Sequence, residues 1–150
     1  MSSIKSTPLT NKQPWITWMV STLREAAWAP LSVLGVYWVG LISNLYKSFP
    51  LLDIPTHFLG GVAITYFFRV AIRHSQQLVG AIPLPIQVLF AITCTGTTTV
   101  LWEVYEIFAD SFLHTNMVRG VQDTIVDLFV GLLGALVLSL FYRHRSSMSE

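Results

Sequence analysis

Long apolar runs separated by short polar segments set the pattern of this chain, and a run of about 20 apolar residues is what a helix needs to cross a bilayer. Residues 1–14 are polar and read as a tail. Residues 15–25 are mixed. Trp15, Trp18, Met19 and Leu23 can share one helical face, which suits either an interfacial segment or an extension of the first span. The first span is expected at residues 26–45, with Pro30 in its first turns, where proline is tolerated. The second is expected at residues 55–72, opened by Pro55 and carrying Gly60, Gly61 and Ala63 for close helix contact. A loop follows over residues 73–85, marked by Gly80, Pro83 and Pro85. The third span covers about 86–109, a polar connection 110–122, and the fourth span 123–142. Gly131, Ala135 and Ser139 recur every fourth residue of the last span, a small-residue stripe suited to packing.

The expected fold is therefore all-α, an integral membrane bundle of four transmembrane helices. A membrane domain over residues 26–142 lies between a tail with its possible interfacial segment (1–25) and a short tail (143–150). Composition agrees. Of 150 residues, 53% are hydrophobic and 11% charged, too few charges to build a water-facing surface. The net charge of +1 carries no nucleic-acid signal, and no nucleic-acid partner is expected. The single cysteine, Cys94, excludes an intrachain disulfide and reads as a small apolar thiol. No cleavable signal peptide is evident, since the first long apolar run starts near Ala26.

Charge sets the expected orientation. With both termini in the cytoplasm, Lys5, Lys12, Arg24, Arg69, Arg73, Arg143 and Arg145 lie inside, and only Lys47 and Arg119 lie outside. The positive-inside rule selects this arrangement over its reverse. Six acids gather toward the external side: Asp53, Glu103, Glu106, Asp110, Asp123 and Asp127. Acids contribute little to topology, so their segregation calls for another cause.

Three helix ends carry them. Asp53 and His57 are four apart at the start of the second span, and Asp123 and Asp127 four apart at the start of the fourth. On the third, Thr95, Thr99, Glu103, Glu106 and Asp110 fall within an arc of about 80° at 100° per residue, opposite Leu101 and Phe108. Such a stripe should face the bundle interior or a water-filled cavity. At 1.5 Å per residue, His57, Glu106 and Asp127 lie roughly 4–6 Å inside the external surface and Glu103 about 9 Å.

Carboxylates with one imidazole suit a divalent cation such as Mg, Mn or Zn, with Asp53, His57, Glu103, Glu106, Asp123 and Asp127 as candidate ligands. They also suit acid–base work, with His57, Glu103 and Asp127 as candidate catalytic groups. Simpler roles compete: Asp53 and Asp123 as helix caps, His57 bonded to a carbonyl, Glu106 and Asp110 solvated at a helix end, the threonines in interhelical hydrogen bonds. His114, Asn116 and Arg119 read as solvated loop residues.

The segments D53-I-P-T-H57-F-L-G-G, W102-E103-V-Y-E106-I-F and D123-T-I-V-D127-L-F-V-G131-L-L-G134-A together resemble the YjdF-like family of small bacterial membrane proteins. More distantly, they resemble the VanZ-like family. The position after the first aspartate, a lysine in the VanZ-like pattern, is Ile54 here. The resemblance implies a bacterial inner-membrane location and a shared polar site at Asp53, His57, Glu103, Glu106, Asp123 and Asp127. The VanZ-like association with glycopeptide resistance implies a role in the cell envelope. Three functions stay open: an envelope enzyme, with or without a metal, acting on a lipid or lipid-linked substrate; a structural or accessory membrane protein; and an ion- or proton-coupled carrier.

Overall fold

The computed structural model describes residues 13–113 and 115–147, and of residues 113 and 143–147 the backbone only. The cations Lys5, Lys12, Arg143 and Arg145, and His114, fall outside the described side chains. Six α-helices follow in order: α1 (Pro14–Ala26), α2 (Trp28–Ile42), α3 (Leu45–Ser48), α4 (Asp53–Val79), α5 (Leu84–Leu113) and α6 (Val121–Ser147), with a 3-10 turn at Pro50–Leu52. No strand occurs among the described residues.

Three segments are each long and apolar enough to cross a bilayer, Pro50–Val79, Leu84–Phe112 and Val121–Tyr142. A fourth crossing requires α1 and α2 to count as one span. The pair α1 and α2 meets the same criterion only when joined, and it bends by 52° at Ala27. Pro30, expected to be harmless in an opening turn, explains the bend. A helix running from Pro14 places Pro30 in its interior, where the ring lacks an N–H and clashes with the carbonyl four residues back, at Ala26.

The bend also decides how α1 lies. Trp18 Nε1 donates to the Ala71 carbonyl at 2.9 Å, Thr22 Oγ1 lies 3.3 Å from His74 Nδ1, and Glu25 pairs with Arg73 and His74. These contacts, with Tyr66 also reaching the Glu25 carbonyl at 3.5 Å, tie α1 to α4. Trp15, Met19 and Leu23 stay exposed on its outer face while Trp18 turns inward.

Two boundaries differ from the hydropathy reading. The loop expected at residues 73–85 is helical to Val79, and the break falls at Gly80, whose φ of 88° suits glycine. The polar stretch after residue 109 is likewise helical to Leu113.

The core is a three-helix unit of α4, α5 and α6, with α1 and α2 packed on α4. Its contacts are made by small residues. A methyl built on Gly61 would sit 2.0 Å from the Gly131 carbonyl oxygen, and one on Gly134 would sit 2.3 Å from the Phe58 oxygen. Ala63, Ala91, Ala109, Ala135 and Ser139 are buried beside them. Gly60, expected to share in this contact, faces open space instead. Thr65 and Thr95 join α4 to α5 through a buried hydroxyl pair at 2.8 Å, and each hydroxyl also reaches the carbonyl four residues back. Large apolar side chains point outward along every long helix, Leu101 and Phe108 among them, the inverse of a soluble bundle.

Candidate functional site: a buried acid–histidine cluster

One end of the bundle gathers ionisable groups from three helices. α4 supplies Asp53 and His57, α5 supplies Glu103 and Glu106, and α6 supplies Asp123 and Asp127. His57, Glu103, Glu106 and Asp127 are all buried, Asp127 to 2% exposure and Glu103 to 3%. Thr95 and Thr99 continue the buried face of α5 below them.

The imidazole of His57 is the hub. Its Nε2 lies 3.5 Å from Asp53 Oδ1 and 4.0 Å from Asp127 Oδ2; its Nδ1 lies 3.7 Å from Glu103 Oε1. Buried Glu103 Oε1 has no hydrogen-bond partner among the described residues. When Nε2 carries its proton toward Asp53, Nδ1 presents a lone pair to that oxygen. Two buried acceptors then face each other, an arrangement that requires a proton or a cation between them.

The donor set fits a cation. Two overlapping groups, Asp53–His57–Asp127 and His57–Glu103–Glu106, each offer three ligand atoms within 4.8 Å of one another. Neighbouring ligands of an ion bound at about 2.1 Å lie roughly 3–3.4 Å apart, so the His57 Nδ1–Glu103 pair at 3.7 Å needs to contract by a few tenths of an ångström and a pair at the 4.8 Å limit by more than about 1 Å. The two groups divide the work of one imidazole. A ligating histidine normally donates its other N–H to a carboxylate, so a cation on Nδ1, Glu103 and Glu106 leaves Asp53 and Asp127 to receive the Nε2 proton.

The remaining acids are already occupied. Asp123 binds Arg119 through both oxygens, at 2.9 and 3.2 Å, and Asp53 Oδ2 receives the same guanidinium at 2.6 Å. Arg119 NH1 also donates to the Pro50 carbonyl at 3.0 Å. Burial works against the Arg119 charge, but the hydrogen bond and charge of Asp123 outweigh it, so its pKa rises above the ordinary value. Asp110 holds the loop before α6, accepting from Thr115 Oγ1 and from the amides of Met117 and Val118. Asp123 thus stands in an ion pair outside both candidate ligand groups, and Asp110 in a loop anchor.

Several groups here carry little signal in the sequence. Tyr37 on α2 donates to Glu106 Oε1 at 3.2 Å, and Trp102 Nε1 donates to the same oxygen at 3.0 Å. Trp102–Glu106 and Arg119–Asp123 are readable as pairs four apart. Tyr37 is 69 residues from Glu106 and leaves no local trace.

Two cavities meet the cluster. One of about 450 Å³ opens beside Asp53 and Glu106 and is rimmed by Asn44, Tyr46, Lys47, Asn116 and Arg119. Asn44 adopts φ 56°, a left-handed turn that asparagine tolerates, and closes α2 there. Partial burial raises the Tyr46 phenol above its ordinary pKa, and its oxygen lies 3.1 Å from Thr56 Oγ1. The second, about 100 Å³, is an apolar groove between α2, α4 and α5, bounded by Val33, Leu34, Gly60 and Ile64 and reaching His57. Tyr37 borders both.

Fold and site define a small helical membrane protein with a buried acid–histidine cluster at one end. The chain belongs to the family described as predicted membrane protein (DUF2238), whose profile matches residues 10–147. It is 31% identical over 110 residues to a Thermotoga maritima protein described only as uncharacterized. That match covers 72% of this chain and 56% of the relative, so the chain spans about half the length of that curated protein. No solved structure matches.

Proposed function

We propose that this protein is a metal-dependent membrane enzyme acting on a lipid or lipid-linked envelope substrate at the external face of the bacterial inner membrane. The observation that carries the reading is the unpartnered Glu103 Oε1 facing His57 Nδ1 inside a shell of carboxylates. In this reading His57, Glu103 and Glu106 hold a divalent cation. Asp53 and Asp127 would receive the second imidazole nitrogen's proton, and Asp127, buried beside it, would hold or release a proton there. Such an ion polarises an ester or phosphoryl oxygen, or activates a water. Arg119 neutralises Asp53 and Asp123 and so holds the starts of α4 and α6 together.

The external placement follows from the cation distribution, with both termini cytoplasmic. The resemblance of three segments to YjdF-like and, more distantly, VanZ-like proteins supports an envelope role. One observation favours a second reading, an accessory protein using its acids as packing: two of the six acids are already neutralised by Arg119.

The test is elemental analysis of purified wild type and Glu103→Gln after equilibration with Mg, Mn or Zn. About one ion per wild-type chain and far less in the variant supports the enzyme reading. No bound metal in wild type at any divalent supply removes it and leaves the accessory role.

A further inference from the structure

The two cavities beside the cluster differ in character, and their difference specifies a ligand. The larger is lined by Asn44, Asn116 and Lys47 together with Asp53 and Glu106. Arg119, the other cation there, is committed to Asp53, Asp123 and Pro50. Lys47 has no ion pair among the described residues and is exposed. The smaller cavity is apolar, lies deeper along the same helices, and exists because Gly60 puts no side chain where Leu34 and Ile64 leave space. Tyr37 stands at their junction, its hydroxyl on Glu106 and its ring edge-on to Trp102 at 4.8 Å.

We propose that the site takes a phosphate-bearing amphiphile, its head in the larger cavity between Lys47 and the cluster, its tail in the groove beneath Gly60. This deepens the enzyme reading above and rests on it. An anionic head beside Glu106 and Asp53 is repelled unless a cation lies between them. A divalent ion shared by carboxylates and a phosphate is the ordinary way in which such an ion binds. Lys47 supplies the second positive pole, across the cavity. The groove is walled by apolar side chains of membrane-spanning helices, and the ligand chemistry that fits it is a hydrocarbon chain.

The experiment is native mass spectrometry of the full chain in detergent with Mn²⁺. The probes are lysophosphatidic acid, monoacylglycerol with the same chain, and inorganic phosphate. Lysophosphatidic acid should bind at least tenfold tighter than monoacylglycerol. Lys47→Glu and Gly60→Leu should each weaken it tenfold or more, and Gly60→Leu should leave metal content unchanged, because a β-carbon at Gly60 meets no neighbour and the added side chain enters the groove. Equal binding of monoacylglycerol would overturn the phosphate assignment. Unchanged binding in Gly60→Leu would overturn the tail assignment, as would inorganic phosphate binding as tightly as the lipid. Elemental analysis of the same samples separates the failures. Metal without lysophosphatidic acid overturns this inference alone. Neither one overturns both. Lipid binding without metal overturns the shared cation and, with it, the placement of the head beside Glu106.

Discussion

Gly61 and Gly131 meet backbone to backbone, with no room for even a methyl between α4 and α6. His57 precedes Gly61 by one turn, and Asp127 precedes Gly131 by one turn. Both helices run away from the site end. The glycine contact therefore fixes the separation of His57 and Asp127 one turn above it, and links packing to the site.

Gly61→Ala should push the helices apart and cost on the order of 3 kcal/mol, the upper range of overpacking, read as a lower unfolding midpoint in detergent. Metal affinity should fall with it. The neighbouring Gly60→Ala meets nothing and should be neutral, or stabilising by up to about 1 kcal/mol through helix propensity. Equal loss at the two positions would contradict the asymmetry.

Glu103→Gln separates a binding site from packing glue. Replacing a buried carboxylate whose Oε1 has no hydrogen-bond partner by an isosteric amide should leave the stability of the metal-free protein within about 1 kcal/mol of wild type. The stabilisation conferred by added Mn²⁺ should disappear. If the variant loses stability and wild type gains none from metal, the acids are structural.

Arg119→Gln should release Asp53, Asp123 and the Pro50 carbonyl together. The guanidinium is partly exposed, so the stability loss should be modest, about 1 kcal/mol, and should shrink at high salt. Hydrogen exchange should quicken at the amides of residues 119–123, because the Arg119 N–H itself bonds Asp123 at 3.1 Å. Exchange unchanged across that turn would show that the network holds nothing.

Orientation is checked by labelling single cysteines in a Cys94→Ser background. Lys47→Cys should react with an impermeant maleimide on intact cells, and Gln77→Cys only after the membrane is permeabilised. The opposite pattern would place the cluster at the cytoplasmic face and remove the envelope side of the proposal.

Much of this was legible along the chain. Runs of apolar residues located the long helices. The polar stripe on α5 named Glu103 and Glu106 as inward-facing, and the structure buries both. Hydropathy reports the apolar layer rather than the hydrogen bonding, so it ended α4 at residue 72 when the helix runs to Val79. It also missed the bend, because Pro30 is harmless or disruptive according to where the helix begins. Convergence of the acids on His57 was an expectation from helix faces, but the distances depend on Gly61 against Gly131. Tyr37 reaches Glu106 across two helices, and no local pattern encodes such a contact.

The central claim is that His57 Nδ1 shares a divalent cation with Glu103 and Glu106. Pulsed electron paramagnetic resonance of Mn²⁺ bound to the purified protein reads this directly. The account predicts a nitrogen coupling from one directly bound imidazole in wild type, absent in His57→Gln. Bound Mn²⁺ without that coupling, or no bound Mn²⁺, would contradict it.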